Sequence, residues 1–173
     1  MTRSRLITFL AGSAVMPLVA LTVAGCGGGD SDNAGPSSPP KNASGRTATV
    51  GVANSDLGTI LVDSQGRTLY LFEKDSGTKS ACSGACAAAW PPLRATGKPT
   101  VGKGASAALV GTTPRSDGQP EVTYNGHPLY LYEGDSKAGD TNGQGLTAFG
   151  GGWFALSAAG VQVSGGPSSS GGY

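Results

Sequence analysis

Charged side chains are scarce in this 173-residue sequence, at 13% of its residues, and aromatic side chains make up only 6%. Glycine, by contrast, occurs 30 times and proline 11 times. This composition is typical of a turn-rich β protein and argues against a helical bundle. The small number of aromatic side chains also implies a small core.

Residues that bind metals and cofactors are equally few. Histidine occurs once, as His127, and cysteine three times, as Cys26, Cys82 and Cys86. A structural zinc site takes four ligands, more than two cysteines and one distant histidine supply. The spacing of Cys82 and Cys86 is neither the Cys-x-x-Cys-His of haem attachment nor the Cys-x-x-Cys of thioredoxin-like chemistry. We therefore expect no metal and no cofactor.

The sequence also lacks a recognisable catalytic set. No serine is placed beside His127 by the sequence, so a Ser-His-Asp triad is not apparent. Glu73 and Glu133 are in principle a carboxylate pair for glycoside hydrolysis, but both are expected at strand ends, facing solvent. The glycines at 143–152 lack the strand–turn–helix context of a phosphate loop. We expect that the protein is not an enzyme, and an envelope hydrolase is only a distant alternative.

The charge balance excludes one class of partner. Of the 12 basic residues, Arg3 and Arg5 fall in the expected export segment, which leaves ten against 11 acidic residues. A chain with net charge −1 carries no basic field for a phosphate backbone. Nucleic acid is therefore not an expected partner.

The first 46 residues have the pattern of an export signal followed by a membrane anchor and a linker. Residues 1–25 have a short cationic start and an apolar run, and Val23-Ala24-Gly25-Cys26 resembles the lipobox at which bacterial lipoproteins are acylated and cut. We expect a diacylglyceryl anchor on Cys26; an ordinary signal peptide and an uncleaved span are the alternatives. Residues 26–46, rich in Gly, Ser and Pro, are expected to be a flexible tether with a reach of roughly 25 Å.

One pattern occurs twice, sixty residues apart. Both Tyr70–Asp75 and Tyr130–Asp135 follow a Leu and read Tyr-Leu-aromatic-Glu-x-Asp, with Phe72 and Tyr132 as the second aromatic residue. In each copy an apolar run, a Gly-containing turn and the motif segment predict a β-hairpin, of 58–63 with 68–72 in the first copy and of 121–124 with 128–132 in the second. Asn125-Gly126 is the sequence that a type I′ turn prefers. Alternation in 68–72 places Leu69 and Leu71 on one face and Tyr70 and Phe72 on the other, so we expect a strand buried on both faces.

These repeats define one predicted domain at 47–163. Repeat one covers about 56–93 and repeat two about 107–163, and residues 164–173 are expected to be a disordered tail. Trp90 and Trp153 follow the first tyrosine of their repeats at comparable distances. Residues 85–89 are expected to form one helical turn that Pro91 and Pro92 end. We predict a mainly β fold of two tandem antiparallel, hairpin-based repeats packed as one small domain with pseudo-two-fold symmetry.

The duplicated motif, the segment Cys82-x3-Cys86-x3-Trp90-Pro91-Pro92-Leu93 and the lipobox together resemble a bacterial family. It is the family of predicted lipoproteins, or secreted repeat proteins, with the motif Tyr-x-(Phe/Trp/Tyr)-x-x-Asp. The resemblance covers about residues 56–163. It implies a lipoprotein outside the cytoplasm with no assigned molecular activity, and it adds no mechanism.

The motif residues have two interpretations. In the first, Asp75 and Asp135 meet and bind a ligand or ion. In the second, which we favour, the aromatic rings fill the core and each aspartate accepts backbone N–H bonds from the following turn. The aromatic set is Tyr70, Phe72, Tyr130, Tyr132, Trp90 and Trp153.

Cys82 and Cys86 are expected to form a local disulfide in an oxidising compartment. A redox-active pair and a soft-metal site such as Cu(I) are the alternatives.

We therefore predict a non-enzymatic binding or interaction module of the cell envelope, on the outer face of the bacterial membrane, with an envelope protein or a small ligand as partner. The alternative is a redox or electron-transfer accessory lipoprotein that uses Cys82 and Cys86.

Overall fold

The computed structural model describes residues 47–165. The predicted signal peptide, Cys26, the tether and nearly all of the predicted tail therefore lie outside the described residues. The described chain forms nine β-strands and one short helix. In chain order these are β1 (Thr49–Ser55), β2 (Gly58–Val62), β3 (Tyr70–Phe72), α1 (Ala85–Ala89), β4 (Thr100–Val101), β5 (Val110–Thr113), β6 (Glu121–Tyr124), β7 (His127–Pro128), β8 (Thr147–Ala148) and β9 (Gly151–Ala155).

The strands form three small sheets, with the orders β2-β1-β4, β3-β9-β8 and β5-β6-β7. All pairs are antiparallel except β1 with β4, where Thr49 lies opposite Thr100. Two antiparallel hairpins correspond, β1–β2, whose first strand precedes the predicted start of repeat one, and β5–β6 in repeat two. The predicted mainly β fold of two antiparallel repeats is confirmed.

Local signals in the sequence specify several of these elements. Asn125 and Gly126 have φ values of 48° and 83° between β6 and β7, the positive pair that a type I′ turn requires. Helix α1 covers the predicted residues and ends directly before Trp90 and the two prolines. The predicted strand that is buried on both faces is also confirmed, since every residue from Thr68 to Phe72 is buried.

The two faces of that strand separate two hydrophobic clusters. Leu69 and Leu71 enter one cluster, and Tyr70 and Phe72 enter the other. We call the first the aliphatic core; its buried members are Ala48, Val50, Leu61, Leu69, Leu71, Leu93, Ala95, Val122, Tyr124, Leu129, Leu131 and Leu156. We call the second the aromatic core; its buried members are Ile60, Val62, Tyr70, Phe72, Cys82, Cys86, Trp90, Tyr130, Trp153 and Ala155.

Strand pairing differs from the sequence prediction at both Leu-Tyr-Leu segments. The predicted hairpin of 58–63 with 68–72 is reduced to one bridge, Val62 with Thr68, and the backbone bonds on either side of it, from Leu69 N to Leu61 O and from Asp63 N to Arg67 O. The predicted strand 128–132 is likewise short, because β7 ends at Pro128. In both repeats the remaining backbone groups pair with a segment of the other repeat.

The tryptophan segment of each repeat completes the other repeat. In β9, Trp153 lies opposite Phe72 and Ala155 opposite Tyr70. In the reverse direction, Leu131 N donates to Pro91 O at 2.8 Å and Leu93 N donates to Leu129 O at 2.8 Å. The two repeats are therefore interlocked, since neither one contains both strands of its own central pairing.

The two equivalent tyrosines join the exchanged segments at the centre. Tyr70 N donates to Tyr130 O at 2.9 Å, and Tyr130 N donates to Tyr70 O at 3.0 Å. The two tyrosines therefore form a hydrogen-bonded pair of an antiparallel ladder, in which directly opposite residues exchange both N–H···O bonds. The contact is local, and pseudo-two-fold symmetry of the whole repeats stays a prediction.

Interlocking predicts that neither repeat folds alone. Fragments 47–106 and 107–165 each lose the partner strand of their central segment and expose both cores, so each is expected to lack β structure by circular dichroism. Mixing them at equal concentration should restore the spectrum and a cooperative thermal transition, because the exchanged segments bring the partner strands back. The matched control is each fragment alone at doubled concentration. Cooperative unfolding of an isolated fragment would show that the exchange is not needed for folding.

Candidate functional site

The duplicated tyrosines and aspartates form two crossed pairs between the repeats. The Tyr70 hydroxyl donates to Asp135 Oδ2 at 2.8 Å, and the Tyr130 hydroxyl donates to Asp75 Oδ2 at 2.9 Å. Both tyrosines are fully buried, and a buried tyrosine hydroxyl needs a polar partner. Each repeat therefore supplies the carboxylate that accepts the hydrogen bond from the tyrosine hydroxyl of the other repeat.

The second carboxylate oxygen of each aspartate holds the following loop. Asp75 Oδ1 accepts from Ala81 N at 2.7 Å, and Asp135 Oδ1 accepts from Asn142 N at 3.0 Å. Backbone donors are what the structural interpretation of these aspartates expects. No contact between Asp75 and Asp135 is observed among the described residues, and a ligand role for them stays a prediction.

Burial sets the protonation of both pairs. It raises the pKa of the Tyr70 and Tyr130 hydroxyls, and in each case a nearby carboxylate raises it further. Burial also raises the pKa of Asp75 and Asp135, although their hydrogen bonds act in the opposite direction. The tyrosines thus stay protonated donors to their aspartate acceptors.

Four aromatic rings form a continuous stack beside these pairs. The ring centroids are 4.1 Å apart for Phe72 and Trp153, 3.9 Å for Trp153 and Trp90, and 4.2 Å for Trp90 and Tyr132. Tyr70 packs edge-on against Trp90 and Tyr130 edge-on against Trp153. The repeats alternate along the stack, so the predicted aromatic set forms one shared unit.

The predicted disulfide between Cys82 and Cys86 is confirmed, with a Cα–Cα distance of 5.3 Å. Both cysteines are buried, with exposures of 1% and 6%, and they belong to the aromatic core. Burial shields the sulfurs from reductants and metal ions in solution.

The sequence analysis missed a buried ion pair. Arg115 Nη1 lies 2.7 Å from Glu121 Oε2, and both side chains are almost fully buried. Arg115 Nη1 also donates to Ser80 Oγ, and Nη2 donates to the Cys82 carbonyl. Because the Tyr130 hydroxyl contacts the same Ser80 Oγ, the pair is linked to the aspartate of repeat one.

Glu121 is the exceptional member of this network. Its Oε1 has no hydrogen-bond partner among the described residues. Burial raises its pKa to about 7, against the hydrogen bond and charge of Arg115. Val122 and Leu61 are equivalent positions, because their carbonyls accept hydrogen bonds from the amides of the equivalent leucines, Leu129 and Leu69. The residue before each of them differs, and this difference is visible in the sequence: Glu121 in repeat two and Ile60 in repeat one. A carboxylate thus occupies a position that is apolar in the other repeat.

The remaining candidate residues are scattered. Glu73 and Glu133 are exposed, as expected at strand ends, whereas His127 is half-buried in β7 rather than exposed. Residues 47–165 contain no group of three or more His, Cys, Asp or Glu side chains arranged to hold a metal ion. Cys26 lies outside the described residues.

One open groove lies at the edge of β5. Its volume is about 490 Å³, and it is lined by Thr112 and by the segments 95–97 and 118–120. At one side Arg94 holds Asp117 with two hydrogen bonds, of 2.9 and 2.7 Å, which lower the pKa of that carboxyl. Small and polar residues leave the groove accessible.

Comparison with known proteins gives one family. The model of Lipoprotein_15, described as a secreted repeat of unknown function, matches residues 51–94 and 111–157. The two matched regions cover nearly all of the β1–β2 and β5–β6 hairpins and contain both tryptophans. Comparisons with curated proteins and with solved structures gave no match. In the part of the chain that the structure describes, no helix has the length and apolar character to cross a membrane.

The buried carboxylate predicts a characteristic pH dependence. The folded-state pKa of Glu121, about 7, lies above its ordinary value of 4.5. The folded protein therefore holds this proton more tightly, and the stabilisation is complete below pH 4.5 and is lost as the pH rises through 7. Asp75 and Asp135 shift in the same direction from 3.8. We expect the free energy of unfolding, measured in urea, to fall by roughly 1–3 kcal/mol between about pH 4.5 and 8.

Glu121→Gln is the matched variant, because it keeps the shape of the side chain and removes its titratable carboxyl group. Its stability should change little between about pH 5 and 8, whatever its absolute value. A wild-type stability that stays constant or rises over this range, or the same slope in both proteins, contradicts the assignment.

Proposed function

Because the chain belongs to the Lipoprotein_15 family of secreted repeats of unknown function, we propose that it is a binding module outside the cytoplasm, held on the outer face of a bacterial membrane by a lipid on Cys26. The module has no catalytic activity, and its partner is an envelope protein or a small ligand. The family description fits an extracytoplasmic protein of unassigned activity.

The use of the motif side chains inside the protein is the observation that carries the proposal. Tyr70 and Tyr130 have no exposed surface, and their hydroxyls are bonded to Asp135 and Asp75. Catalysis needs polar groups that converge on an accessible cleft. The duplicated groups instead hold the repeats together, which leaves the surface for recognition.

The groove beside β5 is the proposed binding surface. Its concave shape and volume suit a peptide segment or a small polar ligand. Thr112 is exposed on the edge strand β5, whose outer backbone groups are available to an extended segment. The Arg94–Asp117 pair supplies fixed charge at its rim.

The anchor rests on the sequence around Cys26. Val23-Ala24-Gly25 provides the small residues before the cysteine, and two acyl chains hold a protein stably where one does not. The Gly-, Ser- and Pro-rich composition of residues 27–46 predicts a tether with roughly 25 Å of reach. The domain is thus kept near the membrane, where envelope partners lie.

The redox alternative stays a prediction. The confirmed disulfide supplies a two-electron couple, but its buried position in the aromatic core favours a structural bond. We therefore rank the binding module first.

Removal of the acceptor thiol tests the anchor. Cys26→Ala is expected to abolish incorporation of a radiolabelled fatty acid into the protein, because the acyl chains have no other attachment point, and to leave residues 1–25 uncut, because the cut follows acylation of the same cysteine. The disulfide variant Cys82→Ser/Cys86→Ser is the control and should incorporate the label and be cut. Labelling of Cys26→Ala, or cutting of the wild-type protein without labelling, would contradict the lipid anchor.

A photoreactive side chain in the groove tests the binding surface. Placed at Thr112 in intact cells, it should give a specific adduct, whereas the same side chain at Thr59, another exposed strand threonine, should not. Gly97→Phe should abolish the adduct, since Gly97 lines the groove and has open space at its Cβ position. Equal labelling at Thr112 and Thr59, or an adduct that survives the Gly97 change, contradicts the groove.

A further inference from the structure

The hairpin of β8 and β9 displays an apolar side chain in a backbone conformation that suits it poorly. Phe149 and Gly150 connect Ala148 to Gly151 with φ values of 55° and 87°. The Asn125-Gly126 turn has nearly the same pair, 48° and 83°. Phenylalanine thus occupies a left-handed position that Asn or Gly fills at least cost.

The strained side chain is partly exposed. Phe149 is 45% exposed, and Leu146 of the same hairpin is 37% exposed. Together with Val161 they are the exposed large hydrophobic residues of the described chain. Backbone strain at a residue that leaves nearly half of an aromatic ring in solvent indicates a requirement for that side chain at that place.

The hairpin is held rigidly against the body of the domain. Glu73 Oε2 accepts from Gly152 N, Trp153 Nε1 donates to Ala148 O, and Lys74 Nζ donates to Phe149 O. A Cβ at Gly151 or Gly152 would lie 2.9 Å from Phe72 or 2.6 Å from Glu73, so this close approach requires glycine. Phe149 is therefore presented in a fixed position.

The composition of the hairpin indicates which kind of partner its exposed side chains contact. No residue from Thr141 to Gly165 is charged, and the two charged side chains that contact the hairpin, Lys74 and Glu73, carry opposite charges. Two partly exposed side chains offer roughly 100–200 Å², far less than the ~800 Å² per partner of a stable protein interface. A bilayer surface needs no such area, because single phenylalanine and leucine side chains can bury in its interfacial region.

We infer that the Phe149 hairpin inserts into the outer leaflet of the membrane to which the chain is attached and so fixes the orientation of the domain. The inference rests on the proposed lipid anchor, which supplies the proximity. A tether of roughly 25 Å keeps the hairpin at a high effective concentration at the bilayer, so a weak contact is sufficient. The acyl chains provide attachment, and the hairpin determines which face of the domain points outward.

Fluorescence of an added tryptophan tests the insertion. The variants Phe149→Trp and Val161→Trp place a reporter at two exposed apolar positions, and Trp90 and Trp153 are buried, so their background is subtracted with the parent protein. The acylated chain is reconstituted in phosphatidylcholine–phosphatidylglycerol vesicles with brominated acyl chains. Emission from position 149 should shift to shorter wavelength and be quenched, and emission from position 161 should show neither effect. Absence of quenching at 149, or equal quenching at both positions, overturns the inference and leaves a protein partner for the hairpin.

The anchor and the hairpin are separated in the same preparation. Vesicle flotation reports whether the chain is attached at all. If it does not float, the anchor proposal fails, and the two tryptophan variants are then attached through a hexahistidine tag at position 26 to a nickel-chelating lipid. Quenching at 149 under that attachment supports the hairpin without the natural anchor, and its absence overturns it.

The variant Phe149→Asn tests whether Phe149 serves membrane binding or the stability of the fold. Asn relieves the left-handed strain, so the melting temperature is expected to rise by about 2–5 °C. The same change should weaken partitioning of the hairpin into the vesicles about tenfold, since it removes the aromatic side chain. A lower melting temperature would mean that Phe149 serves the fold, which contradicts the inference.

Discussion

Two hydrogen bonds that cross between the repeats, from Tyr70 to Asp135 and from Tyr130 to Asp75, hold the centre of this protein. They are possible because the backbones of the two tyrosines pair with each other, which places each ring under the loop of the opposite repeat. The aromatic stack and the exchange of the tryptophan segments follow from the same arrangement. A chain with so few aromatic residues thus builds its core by sharing them between two halves.

Local chemistry made part of this structure predictable. The alternation of Leu69, Tyr70, Leu71 and Phe72 indicated a strand buried on both faces, and Asn125-Gly126 indicated the turn between β6 and β7, because both signals act between near neighbours. The exchange was not predictable in this way. Each Leu-Tyr-Leu segment has two apolar faces and fits either partner strand, so periodicity does not distinguish pairing within a repeat from pairing between repeats.

The sequence predicted the site residues that occur in both repeats and not those that occur in only one. The duplicated tyrosines, aspartates and tryptophans stood out by repetition. The Arg115–Glu121 pair did not, because it occurs in one repeat only and its partners, Ser80 and Cys82, are distant in sequence. Phe149 did not stand out either, because an isolated phenylalanine in a Gly-rich segment gives no sign of its backbone conformation until its positive φ is known. These two departures from the repeat pattern are where this chain differs from a purely structural duplication.

Amide hydrogen exchange at Tyr70 and Tyr130 tests the shared core most directly. Each amide donates to the carbonyl of the other tyrosine, so neither can open while the other repeat stays folded. We expect both amides to exchange only through global unfolding, with the same free energy and the same denaturant dependence. A clearly lower free energy at one of the two amides, with weak denaturant dependence, would show that a repeat opens independently and would contradict the interlocked core.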